Sequence, residues 1–252
     1  MDFMTGTTAR RLARLAGGLY LINIVGGAFA IGIVPAMLVV TGDPAGTARN
    51  IQSNEMLYRS SLVAHMVIDV TSVLLAVIFY DLFRVVSRRL ALLVVFFTLV
   101  ATAVEVAGLL NQFVPLLLLG SGPYASALPG SEAQVLAAMS FDLSEIGYSI
   151  NSVFFAFYGL CIGYLIFRST FLPRVIGVLM ALGALSYLTY GTAHLLVPAF
   201  ASRLVPWIQL PSLLGEGSLT LWLLLVGVDV RRWETQASSS SERMGAPSAV
   251  GA

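Results

Sequence analysis

The sequence predicts an all-α fold: a polytopic integral membrane bundle of six transmembrane helices, N and C termini cytoplasmic. Three observations lead there. The chain is 58% hydrophobic and only 11% charged, where soluble domains carry roughly 25% charged residues. A soluble protein of 252 residues with so few charges could not cover its surface. Six segments, about 14–40, 57–82, 90–119, 140–167, 172–199 and 206–228, are apolar enough and long enough to span, which takes about 20 residues. The basic residues, all arginine, also alternate in density between loops. Arg10, Arg11, Arg14, Arg84, Arg88, Arg89, Arg168, Arg174, Arg231, Arg232 and Arg243 fall on one side, and Arg49, Arg59 and Arg203 on the other. The richer side is expected to be cytoplasmic.

The first segment opens on Arg10, Arg11 and Arg14, and "AFA" at 28–30 looks like a signal-peptide cleavage site. The apolar run continues to Val40, long enough to span, so an uncleaved signal anchor is expected. Its "GG" pairs at 17–18 and 26–27 read as helix-packing sites. "TGDPAGTARNIQSNE" then separates the first two spans, and "GSGPYASALPGSEAQ" separates the third and fourth. Residues 1–13 read as a cytoplasmic N-terminal segment and 14–230 as the transmembrane domain. Residues 231–252, rich in Ser, Gly, Ala and Pro, read as a disordered cytoplasmic tail.

Charged groups inside a bilayer are costly and should face the bundle interior. Residues three and four apart share a helix face, and the polar residues follow that spacing. The first span carries Tyr20 and Asn23. The second carries Tyr58, Ser61, His65, Asp69 and Ser72, and the third Thr98, Thr102, Glu105 and Gln112. The fourth carries Asp142, Glu145, Ser149 and Ser152, the fifth Ser186, Tyr190 and His194, and the sixth Gln209, Ser212, Glu216 and Thr220.

Counting depth at about 1.5 Å per residue places most of the ionisable residues in the outer half, with Asp69 near the midplane. Asp142 and Glu145 are then expected to form one wall of an acidic, outward-facing cavity with Glu105 and Glu216. A plainer role also fits them. With Ser140 as N-cap, both acids would sit in the first turns of the fourth helix, at the positive end of its dipole.

The function classes narrow by exclusion. A net charge of +1 does not indicate a nucleic-acid surface. The single Cys161 excludes an internal disulfide and a Cys-rich metal site. His65, Asp69, Glu105, His194 and Glu216 could supply N/O metal ligands, but no HExxH-like signature accompanies them, and glycine-rich nucleotide motifs are absent. No cofactor and no metal are therefore expected. The partners are expected to be membrane lipids and a hydrophobic small molecule.

The run "GYLIFRSTFLPRVIGVLMALGALSYL", Gly163 to Leu188, resembles the signature of a bacterial membrane-protein family catalogued as domain of unknown function 4386. "RLARLAGGLYLINIVGGAFA" and "GEGSLTLWLLLVGV" are similar to its two ends, so the likeness covers roughly residues 10 to 230. Thr170 stands where that family often has glycine. The resemblance implies a polytopic inner-membrane protein and implies no activity. In size and in its intramembrane acids the chain is also similar to small polytopic terpene cyclases, with which it shares no quotable motif.

Three functions fit this pattern. In the first, the protein is an enzyme doing acid/base chemistry on an isoprenoid or lipid-like substrate. Glu105 and Glu216 are its acid/base pair, supported by Asp142, Glu145, Asp69 and His65. Asn23, Gln112, Tyr148, Tyr190, His194 and Gln209 are its binding residues, and Phe154, Tyr158, Tyr187 and Trp207 are further aromatics. The second is a proton- or cation-coupled carrier, although no inverted repeat is visible. The third is an accessory or sensory subunit without catalysis.

Overall fold

The computed structural model describes residues 4–245. Every regular element among them is helical. Six helices are long and apolar enough to cross a membrane: Gly6–Leu38, Glu55–Phe83, Arg88–Leu119, Gly130–Arg168, Arg174–Leu196 and Trp207–Leu225. Each packs against its neighbours in sequence, and the sixth closes on the first, so the spans form a ring. Large apolar side chains such as Val25, Val63, Val70, Phe96, Leu182 and Leu221 point outward and are exposed. A surface of that kind suits lipid rather than water.

The first helix starts eight residues earlier than the hydropathy suggests. Thr5 caps it by accepting a hydrogen bond from Thr8 N, and Ala9 and Ala13 are fully buried. Most of the expected N-terminal segment is thus the first two turns of a packed helix. The polar linkers also fold. Pro44–Ser53 is a helix whose cap, Asp43, accepts from Gly46 N at 2.8 Å, and Pro123–Ala127 is a short helix.

The fourth span differs most from expectation. It begins at Gly130, not near Ser140, and runs 39 residues, about 58 Å. Ser140 is mid-helix and its Oγ donates to Ala137 O at 2.7 Å. The N-cap role for Ser140 and the helix-dipole role for Asp142 and Glu145 are both overturned. The polar segment 130–139 had hidden the start, because hydropathy finds the membrane-crossing part of a helix and not its cap.

The expected disordered tail is a helix over Val230–Gly245. Gly227, at φ +78°, turns the chain out of the sixth span. Trp233 is then only 1% exposed, and its Nε1 donates to Leu82 O at 3.1 Å. Glu234 Oε1 accepts from Gly6 N, and Gln236 Oε1 accepts from Thr170 N, each at 3.0 Å. The tail cannot build a core of its own, but one tryptophan docks it on the face that carries both termini. The part of the expected tail at 246–252 lies outside the described residues.

Two apolar cores fill the ring. The larger occupies the half nearer the termini, with Phe79, Phe83, Ile162, Ile166, Leu219 and Leu223 at its centre. The smaller lies on the opposite side and joins Val34, Leu38, Ile51, Tyr58, Leu62 and Leu109. The fourth and fifth spans approach backbone to backbone at Gly163 and Gly177. A Cβ on Gly177 would stand 2.6 Å from Gly163 O and 2.7 Å from Phe167 N. This close crossing follows directly on the Ser169–Pro173 turn.

Candidate functional site

Between the two cores lies a chamber of about 470 Å³, within the usual range for small-molecule sites. Its polar wall is built on Glu105. His65 Nε2 lies 2.7 Å from Glu105 Oε1, and Asn151 Nδ2 donates to Glu105 Oε2 at 2.5 Å. Both carboxylate oxygens are therefore held, one from the second span and one from the fourth. His65 is buried behind the wall. Asn151 Oδ1 is buried without a hydrogen-bond partner. Asn23 stands on the first span, where its Nδ2 donates to Ser72 Oγ at 3.0 Å and its Oδ1 accepts from Thr71. These bonds tie the first span to the second.

The aromatic wall comprises Tyr20, Tyr148, Phe155, Tyr158 and Tyr187. Phe155 stacks on Tyr158 at 4.9 Å and meets Tyr187 edge-on at 5.1 Å. Tyr20 Oη lies close to Tyr158 but makes no hydrogen bond of ordinary geometry.

Glu216 completes the chamber from the sixth span. Its place depends on Gly215, where a Cβ would stand 2.6 Å from Leu179 O; the glycine lets the sixth span press against the fifth and turns Glu216 inward. Tyr187 adjoins the Glu216 carboxylate. A recess of about 10 Å³ lies beyond Glu216 and Ser212, near the size one water needs. Among the described residues, no arginine or histidine lines the chamber. Glu105 is answered by His65, whereas no cationic side chain faces Glu216 from the chamber walls.

The structure thus brings Glu105 and Glu216 into one chamber, together with Asn23, Tyr148 and Gln209. It does not bring Asp142 or Glu145 there. Asp142 is exposed, and the Glu145 side chain is 54% exposed. The first half of the fourth span is rotated so that Ser144 and Ser149, not the acids, face the bundle. Glu145 instead joins a separate cluster, with His194 Nε2 at 3.4 Å and Tyr190 Oη at 3.5 Å. In that cluster His194 Nδ1 lies 2.7 Å from Ser149 Oγ. Ser149 is wholly buried under Gly191, so these residues tie the fourth span to the fifth outside the chamber.

Asp69 is buried a turn from His65, and its Oδ2 lacks a hydrogen bond; it does not line the chamber. Gln112 contributes its backbone carbonyl, which accepts from Tyr58 Oη. Among the described residues no three His, Cys, Asp or Glu side chains gather as a metal site. Sequence reasoning missed Asn151, which stands between two stripe serines in "SINS" and carried no charge to mark it.

The description of one family matches residues 15–227, most of the chain. The chain belongs to the family DUF4386, a domain of unknown function. No curated protein and no solved structure matches it. The DUF4386 match ends two residues before Asp229, so it takes in the whole chamber and leaves out the Trp233 helix.

Proposed function

We propose that the chamber is a membrane-embedded acid/base site for a lipid-soluble, isoprenoid-like substrate. The observation that carries this is Glu216, a carboxylic acid among tyrosines with no cationic residue on the chamber walls. In its protonated form Glu216 donates to an alkene or epoxide, and positive charge develops on the substrate. The faces of Tyr20, Tyr148, Phe155, Tyr158 and Tyr187 stabilise that charge. Glu105, whose two carboxyl oxygens meet His65 and Asn151, is the base that accepts a proton from the neighbouring carbon. One proton enters and one leaves, so the product is an isomer or a cyclised isomer of the substrate. The dense core nearer the termini favours a pocket reached from one side over a carrier pathway through the bundle. We also infer residence in a bacterial inner membrane, with the arginine-rich face in the cytoplasm.

The test uses purified protein in liposomes made from total host lipid, incubated in D₂O. A non-phospholipid species should gain carbon-bound deuterium with the wild type and not with Glu216→Gln. Equal labelling with both proteins contradicts the role of Glu216, and labelling with neither contradicts the assignment and leaves a binding role without turnover.

A further inference from the structure

We infer that the chamber is loaded sideways from the bilayer, through a portal between the halves of the first and sixth spans that lie away from the termini. This deepens the acid/base reading and rests on the chamber being the reactive site. The first observation is where the lining is open. The exposed lining residues are Ala28, Ile31 and Gly32 of the first span, and Pro206, Gln209, Leu210 and Leu213 at the start of the sixth. Every other lining residue is buried or half-buried.

The second observation is how the two spans meet. Near the termini they touch: a Cβ on Gly17 would stand 2.7 Å from Leu224 N. Further along they part: a Cβ on Gly27 or Gly32 would meet nothing within 4 Å. The third is the backbone itself. Ala28–Ile33 is a π-helix, with Val34 N–H bonded to Phe29 O five residues back. Such wide turns are rare and concentrate at functional sites, and this one forms one jamb of the opening.

Packed side chains obstruct two other routes. The larger core lies on the terminal side. On the other side, the smaller core spreads across the first four spans and the Pro44–Ser53 helix. Trp207, 72% exposed at the start of the sixth span, marks a membrane interface. Leu210 and Leu213 follow one and two turns inward, so the mouth faces hydrocarbon.

Volume sets the substrate class. A chamber of about 470 Å³ is of the size that takes a compact small molecule. The occupant is a compact isoprenoid or short acyl molecule with one polar end, which reaches Glu216 while the chain passes between Ile31 and Leu213.

Two photolabels test this on the full-length protein in liposomes. One is a diazirine-bearing dodecanol dissolved in the bilayer. The other is a small, charged, water-soluble diazirine. The alcohol should label the peptide carrying Glu216. Gly32→Trp should cut that labelling at least five-fold while labelling of lipid-facing residues stays constant. Gly18→Trp, equally free of neighbours but outside the chamber lining, should change nothing. Labelling that persists unchanged in Gly32→Trp overturns the portal. Labelling by the water-soluble reagent alone overturns it too, but leaves the acid/base chamber standing. Labelling by neither overturns both.

Discussion

His65 Nε2 and Glu105 Oε1 stand 2.7 Å apart and join the second span to the third behind the chamber wall. Their side chains are 7% and 17% exposed. Breaking a buried pair by removing one partner costs about 3–5 kcal/mol, against under about 1 kcal/mol for an exposed pair. This pair lies nearer the buried limit. Glu105→Ala and His65→Ala should each lower stability by about 2–3 kcal/mol. The double variant should cost at least about 1 kcal/mol less than the sum. Thermal unfolding of the four proteins in one detergent measures this; strict additivity would show that the contact is not energetically coupled.

Trp233 fastens the terminal helix to the bundle through burial and its bond to Leu82 O. Trp233→Ala should destabilise by about 3–5 kcal/mol. Trp233→Phe, which keeps most of the packing and loses the hydrogen bond, should cost about 1 kcal/mol. A stop codon after Trp233 removes the Glu234 and Gln236 contacts and should lower the melting temperature. A stop after Ser240 keeps both and should cost much less. Equal melting temperatures for the two truncations would contradict the docking role.

Gly177 lets the fifth span cross the fourth with backbone atoms in contact. The methyl of Gly177→Ala meets Gly163 O and Phe167 N, which cannot rotate away as a side chain would. A loss of about 1–3 kcal/mol is expected. Gly18→Ala, with open space around it, should be neutral or slightly stabilising. The comparison of their unfolding midpoints fails the account if Gly177→Ala is the milder change.

The arginine asymmetry predicts orientation. A reporter fused to the C-terminus should behave as cytoplasmic in a bacterial host. One inserted in the 120–129 linker should behave as periplasmic. The reverse pattern would invert the assignment of the two faces.

Much of this was legible in the sequence because lipid imposes strong constraints. Six apolar runs gave six spans, and helical spacing placed Glu105 and Glu216 inward, where the structure has them. The same spacing failed for Asp142 and Glu145. Their stripe is shared with Ser149 and Ser152, and a stripe does not say which of its ends rotates away along a 39-residue helix. Hydropathy also missed the folded termini. Ala9, Ala13 and Trp233 are buried by partners distant in sequence, which no local window contains. The chamber volume and its side mouth depend on how far two spans diverge, and that is set by glycines at 17, 27 and 32 that look alike in sequence.

The central claim is that Glu216 acts on a molecule held in the chamber. Mass spectrometry of small molecules that co-purify with the full-length protein tests it most directly, comparing wild type with Glu216→Gln. Exchanging the acid for its amide keeps size and removes a buried ionisable group, so Glu216→Gln should melt at or slightly above the wild-type temperature. It should retain one compact isoprenoid or acyl species, the unreacted substrate, while the wild type carries an isomer of the same mass with a different chromatographic mobility. The account is contradicted if both proteins carry the same single isomer, or if both carry phospholipids alone.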